Sequence, residues 1–437
     1  MISARDVSGA FGPAELVPAS PANGARPATA FRERLLLGVL FAAVLTSSIA
    51  FIEPSPHDLM MGVLGIAALA AGVRFHRLLL LPFVLLLAWN FFGLMTLLNV
   101  PADREAVQYA ITSVYLAGAA MLFAVVFADN TMPRLTAMRR AYILTAAFAA
   151  LCGIAGYFNL FPGAERFTLY GRALGTFKDP NVYAPFLILP ALFLLERMLN
   201  RHIDLRAIVS CAIILFGLLL GFSRGAWFHF GVSLTIVIAL SFLTAPTQKA
   251  RLRILGLTLT GLAGLVVLLA VLLASVDSIG GMFAQRAQLI QNYDVGTGGR
   301  FQLQALAVDS VLSFPNGMGP FEFSRVFGLQ QHNVYLQAFL VYGWAGGLAY
   351  LLLIVTTLWV GFKTALTRTP WQGCAIAAYG TYVGVVLEGF IIDTDHWRHY
   401  FLILGLVWGL AAATRNVRRH PANAYPAAIA PVAVALR

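Results

Sequence analysis

Charge is what this sequence has least of. Only 11% of its 437 residues are Asp, Glu, Lys or Arg, against about 25% in an ordinary soluble domain. With 59% hydrophobic residues, too few polar side chains remain to cover a water-facing globule. Cysteine is scarce too. Cys152, Cys211 and Cys374 all sit inside apolar runs, and neither a disulfide framework nor a metal spacing can be drawn from them. Strand-type alternation is missing, which argues against a β-barrel. The first thirty residues carry Ala, Pro and Gly but no apolar core, so they do not read as a signal peptide. Neither a repeat of about 20–50 residues nor an inverted symmetry stands out.

What the chain does have is a series of apolar blocks, each of the roughly 18–25 residues that cross a bilayer as a helix. Backbone groups in lipid must be satisfied internally, so such blocks are helices. The expected fold class is all-α, a polytopic transmembrane bundle of about twelve spans, near 35–52, 59–73, 78–100, 107–127, 141–161, 181–196, 207–222, 226–243, 254–275, 334–361, 373–392 and 400–414. Residues 1–34 and 415–437 read as cytoplasmic tails, the first disordered, around a membrane domain over 35–414.

The net charge of +11 taken alone suits an anionic partner. Its distribution says otherwise. Of the 30 Lys and Arg, 21 fall on one set of alternating connections and at the two termini. The other nine are Arg104, Arg166, Arg172, Lys178, Arg224, Arg286, Arg300, Arg325 and Arg398. The positive-inside rule makes the first side cytoplasmic. The basic surplus is then a topology signal, and no nucleic-acid partner is expected. Two outer segments are long, 162–180 and 276–332. Loops of such length are usually functional, and the second is expected to contain short helices.

Five clusters on the outer side carry polar chemistry. In Gly221-Phe-Ser-Arg-Gly-Ala-Trp227, Arg224 occupies a turn of few residues between two spans. An arginine there is costly to desolvate unless it reaches water or an anion; it reads either as a snorkelling side chain or, better, as an anion ligand. Arg300 opens an imperfectly amphipathic helix after Gly298-Gly299, and a basic residue at a helix start suits a ligand better than the helix dipole. A plain surface arginine is the even alternative. The turn Pro315-Asn-Gly-Met-Gly-Pro320 is followed by Gln331-His332-Asn333; His332 is a proton acceptor near neutral pH or an interfacial histidine bonded to a neighbour. Arg172, Lys178 and Asn181 gather before a span, as part of an anion or sugar site or as companions of an N-cap at Asp179 or Asn181. Asp393-Thr-Asp-His-Trp-Arg-His399 offers two histidines and two carboxylates to a metal. Its mixed ligand set matches no tight spacing, and it reads as a polar turn with internal salt bridges and an interfacial Trp397. Trp359 and Trp371 read as interface anchors.

Taken in order, these features resemble the O-antigen ligase and polymerase superfamily of bacterial lipid-linked glycan transferases. Arg224 in a short outer turn, Arg300 before an outer helix, the Pro-x-Gly-x-Gly turn and His332-Asn333 at a span start carry the likeness, with Gly-Arg-Ala-Leu-Gly-Thr-Phe-Lys-Asp-Pro-Asn over 171–181. It is strongest over about 165–360, and Asp393–His399 has no place in the shared pattern. The resemblance implies a metal-independent, cofactor-free inner-membrane glycosyltransferase with cytoplasmic termini and a periplasmic site. The donor would be a glycan on undecaprenyl diphosphate. The acceptor would be lipid A-core for a ligase or another lipid-linked glycan for a polymerase. Arg224 and Arg300 would bind the diphosphate with help from Arg172 and Lys178, His332 would be the base, and Asn333 and Asn181 would support them. The lipid tail would lie between spans. The competing class is a secondary transporter of a small anion, which should carry ionisable groups near the bilayer midplane; here Glu388 is the main such residue, and it lies towards the outer end of its span.

Overall fold

A computed structural model describes residues 27–100, 103–200, 203–288 and 298–419. Numbered over the described residues, its long helices begin with α1 (Pro27–Leu45), α2 (Pro56–Ala71), α3 (Leu80–Thr96), α4 (Arg104–Ala128) and α5 (Thr131–Tyr157). A pair follows, α6 (Pro180–Phe186) and α7 (Ile188–Asn200), then α8 (Leu205–Leu220), α9 (Arg224–Thr244) and α10 (Gln248–Ser275). Three short helices, α11 (Asp277–Arg286), α12 (Arg300–Ser313) and α13 (Glu322–Phe327), occupy the long segment expected over 276–332, of which 289–297 lie outside the described residues. The chain closes with α14 (Val334–Ala365), α15 (Gln372–Glu388) and α16 (Arg398–Arg419). Each of the twelve apolar segments coincides with a helix or, at α6–α7, a helix pair.

Among the described residues, eight helices are long and apolar enough to cross a membrane, and α2 and α8 are shorter apolar helices. This is an all-α helical membrane protein. α10 makes the case plainly: none of its most apolar stretch is buried against the rest of the protein. A helix that is apolar all round and uncovered by protein needs lipid around it. α16 is the opposite, buried over most of its length and packed on α4, α14 and α15. Helix extends over parts of the segments expected as tails. α1 starts at Pro27 and α16 runs on to Arg419, while 1–26 and 420–437 lie outside the described residues. Trp371 is not an exposed anchor: it is buried, and its indole N–H donates to Thr414 Oγ1 at 3.0 Å. Trp359 does face outward, with Lys363 Nζ 4.1 Å from its ring centre.

Side-chain caps set the helix starts. Ser55 and Asp58 form a capping box on α2, and Asp103, Asp179, Asp204, Ser223, Thr247 and Asn333 each accept a backbone N–H from the first turn of the helix they precede. The connections then gather at two ends. At one, Arg134 pairs with Glu33 (2.7 Å), His76 with Asp129 (2.9 Å), and Asn416 Nδ2 meets His76 Nδ1 at 3.0 Å. At the other, Lys178 pairs with Glu53 (2.6 Å), Arg398 with Asp58 (2.8 Å), and Val334 N–H donates to Gly389 O at 2.9 Å.

α14 is broken at Gly343, whose φ of 68° and ψ of −178° no helix contains. The Pro315–Pro320 turn fits the break. Trp344 N–H donates to Pro315 O (2.9 Å), and Leu340 O accepts from Met318 N–H (2.6 Å). The turn thus satisfies backbone groups that the break would otherwise leave without partners.

Candidate functional site

The second of these ends holds a cleft of about 650 Å³. Arg172, Arg224 and Arg300 all line it, with Arg286 as a fourth basic residue. They come from four separate stretches of chain. Arg172 stands on a two-residue hairpin, in which Thr168 pairs with Ala173 and Leu169 with Arg172. Its turn needs left-handed backbone at both central positions, and Tyr170 (φ 51°) and Gly171 (φ 68°) provide it. The buried guanidinium then donates from Nε to Gly221 O (2.9 Å) and from Nη2 to Asn181 Oδ1 (2.7 Å). Asn181 is available for this because Asp179 takes the N-cap of α6, accepting from Asn181 N–H at 2.7 Å. Ser223 caps α9, so Arg224 is its first residue, and Nη1 donates to Gln288 O at 3.0 Å. Gly299 and Arg300 likewise begin α12. Arg286 ends α11, where a cation suits the helix dipole.

One wall is aromatic: Phe222, Trp227, Phe228 and Phe283 line the cleft, and Trp227 stacks on Phe283 with ring centres 5.3 Å apart. The same Trp227 and Phe283 line an adjoining groove of about 490 Å³. It runs between α8, α9 and α10 over leucines such as Leu265, Leu268 and Leu272 and carries almost no polar surface.

His332 and Lys178 are not among the residues lining the cleft. Lys178 is half-exposed and paired with Glu53, so the grouping of basic residues before α6 divides: Arg172 faces the cleft and Lys178 turns away. The His332 side chain is 49% exposed, with Nδ1 3.4 Å from Asp393 Oδ2. Three hydrogen bonds tie its segment to Gln304 and Phe390, which are neighbours in the chain of cleft-lining residues. Gln304 Nε2, one turn into the helix that Arg300 opens, donates to His332 O (3.4 Å) and Phe390 O (3.2 Å). Asn333 caps α14 through Oδ1 and donates from Nδ2 to Phe390 O at 3.2 Å. Ile391 and Ile392, which follow Phe390, line the cleft.

The Asp393–His399 segment is corrected in one respect. Of its ion pairs only Asp395–His396 (3.2 Å) is internal; Arg398 reaches Asp58, and Asp393 reaches His332. Burial pushes the Asp393 carboxyl above the ordinary aspartate value, with the facing His332 pulling the other way. Burial opposes ionisation of Asp395 as well, but His396 and the Tyr109 hydroxyl, which donates to Asp395 Oδ2 at 2.5 Å, outweigh it and hold that carboxyl low. Among the described residues, no three His, Cys, Asp or Glu side chains converge as metal ligands. Sequence reasoning missed Arg286 and the pair His229–Glu388, both in or against the cleft. Arg286 was counted on the outer side, but nothing in its neighbours singled it out.

No family model matches the chain, and no match to it was found among curated proteins.

Proposed function

We propose that the protein is a glycosyltransferase of the bacterial inner membrane. It moves a glycan from undecaprenyl diphosphate to an acceptor hydroxyl at the periplasmic face, as in O-antigen ligation to lipid A-core. The observation that carries this reading is the convergence of Arg172, Arg224, Arg286 and Arg300 on one cleft that opens beside an apolar groove. A ligand with a multiply charged head and a long hydrocarbon tail matches that pairing. Guanidinium groups bind phosphate oxygens in forked fashion, and lipid tails occupy apolar grooves between helices. The likeness of the 171–181, 221–227, 298–333 order to the O-antigen ligase and polymerase superfamily adds the glycan.

In the reaction the acceptor oxygen forms a bond to the anomeric carbon. The carbon–oxygen bond to the diphosphate breaks, and its electron pair leaves on the diphosphate. Arg224 and Arg300, with Arg172 and Arg286, meet that growing charge, a contribution that is usually the largest in such catalysis. His332 takes the hydroxyl proton. Asp393, facing its Nδ1, orients the ring and steadies the imidazolium. The twelve helical segments would be twelve crossings, with both termini cytoplasmic under the positive-inside rule and the 276–332 region periplasmic.

The test is transfer by purified protein from a lipid-linked donor in EDTA. Arg224→Ala, Arg300→Ala and His332→Ala should each abolish product while the protein still inserts. Normal product from all three would sink the assignment. A polymerase of the same superfamily would use the same groups. Gene deletion separates the two: without a ligase, long lipid-linked chains accumulate unattached, whereas without a polymerase single repeats remain.

A further inference from the structure

Behind the arginines lies a buried acid–imidazole pair. Glu388 ends α15, is 1% exposed, and is the one carboxylate among the described residues that line the cleft. Its Oε2 lies 2.8 Å from Nδ1 of His229, a residue of α9 with no exposed surface. The other ring nitrogen, Nε2, is 3.0 Å from Thr381 O. A carbonyl oxygen only accepts, so Nε2 carries a proton. Two bare lone pairs do not meet at hydrogen-bond distance, so Nδ1 and Oε2 share a second proton. Whether it sits on nitrogen or oxygen, the pair has no net charge.

The surroundings are shaped for this pair. A Cβ on Gly225 would fall 2.8 Å from Glu388 Oε1, and one on Gly384 would fall 2.1 Å from His229 Cδ2. Gly225 directly follows Arg224, so Oε1 stands against the first turn of α9. A general-base role does not suit Glu388. Its Oε2 is engaged by His229, and a further proton would make the pair a cation beside four arginines.

We propose that His229 is a positioning residue that keeps Glu388 electrically silent, so that Glu388 adds no negative charge to the arginine-lined cleft that receives a diphosphate group, while Glu388 braces the turn that carries Arg224. The diphosphate identity rests on the function proposed above; the silencing of a carboxylate in a cationic cleft applies to any phosphate anion. Losing the shared proton would leave an ionised carboxylate within the anion's reach. At such separations in a partly buried site, that repulsion weakens binding on the order of tenfold or more.

The experiment is calorimetric titration of the full-length protein in detergent with inorganic diphosphate at low salt. His229→Gln keeps an N–H donor for Glu388 but brings no charge, so affinity should fall by about tenfold or more. Adding Glu388→Gln to His229→Gln removes the bare charge and should recover most of that loss, a rescue that a purely structural role would not give. Unchanged affinity in His229→Gln, or no recovery in the double variant, overturns the proposal. So does a His229→Gln chain that fails to fold while the double variant folds and binds normally, since the shared proton would then serve folding. Absence of diphosphate binding by the wild-type protein also overturns it. Because the probe carries no glycan, failure of transfer alone would sink the proposed function and leave this inference standing.

Discussion

His332 has left-handed backbone (φ 49°), one residue before the N-cap of α14. Histidine tolerates that region better than most side chains, and the bend faces its ring towards Asp393. With Nδ1 against a carboxylate, the proton-accepting lone pair belongs to Nε2. Replacing His332 with Ala should lower transfer about 10²- to 10⁴-fold, the usual worth of a general base. Asp393→Asn should cost at least about tenfold, because an amide does not stabilise the imidazolium that forms. Stability should move the other way. A carboxyl whose folded-state pKa is raised favours the folded protein below its unfolded value and loses that favour as pH rises through the raised one. At about pH 7, ionised Asp393 is therefore a net cost, so Asp393→Asn should unfold at the same or a higher temperature than wild type. The difference should shrink below about pH 4, where the unfolded carboxyl is protonated too. Thermal scans in detergent at both pH values check the sign. Arg224→Lys supplies a further residue-level test. It keeps the charge but not the forked donor geometry, so transfer should drop by at least about tenfold while salt dependence persists.

At the scale of elements, the site depends on backbone that departs from regular helix. Gly343 is the strongest instance. Its φ and ψ lie in a region open essentially to glycine alone, and an added Cβ would meet Asn316 C at 2.8 Å and Pro315 O at 3.0 Å. Gly343→Ala should cost about 1–3 kcal/mol from backbone strain, with more from the collision. The 315–320 turn should shift with it, read as a lower unfolding temperature and faster proteolysis within 315–330. The sequence foretold tight turns at Pro315–Pro320 but not their partner. Gly343 sits amid an apolar run whose composition is that of an uninterrupted span, so the break became visible only where the turn's amides meet Leu340 O. The same distinction runs through the site. Arg224 and Arg300 were legible because each stands where a cation is costly, at a helix start or a tight outer turn. Arg286 lies in an ordinary polar stretch, and His229 and Glu388, 159 positions apart, are joined only by the packing of α9 on α15. Proximity in sequence does not fix direction: the hairpin turns Arg172 towards the cleft, while Lys178 reaches Glu53.

For the whole molecule, helix positions followed from composition alone, since a twenty-residue apolar run in lipid has one way to satisfy its backbone. Orientation is a separate matter and rests on charge. The alternation of connections in the sequence assigns 21 of the 30 basic residues to the same side as Glu33, His76, Arg134, Arg197, Arg253 and Arg418. The end bearing the cleft holds nine, several of them engaged by the contacts described above. An excess of Lys and Arg in short connections keeps them on the cytoplasmic side during insertion. Single cysteines placed in a background without Cys152, Cys211 and Cys374 would test the result. Lys249→Cys lies exposed in the first turn of α10 at the basic end, and Leu329→Cys lies at an exposed site between α13 and α14. In intact spheroplasts a membrane-impermeant maleimide should label Leu329→Cys and leave Lys249→Cys unmodified until the membrane is opened. The reverse pattern would put the arginine cleft on the cytoplasmic side, away from any periplasmic acceptor. Labelling of both in intact cells would put an extra crossing between the end of α10 and the start of α14, which the bonds of Arg224 to Gln288 O and of Gln304 to His332 O, holding that region at the cleft end, do not allow.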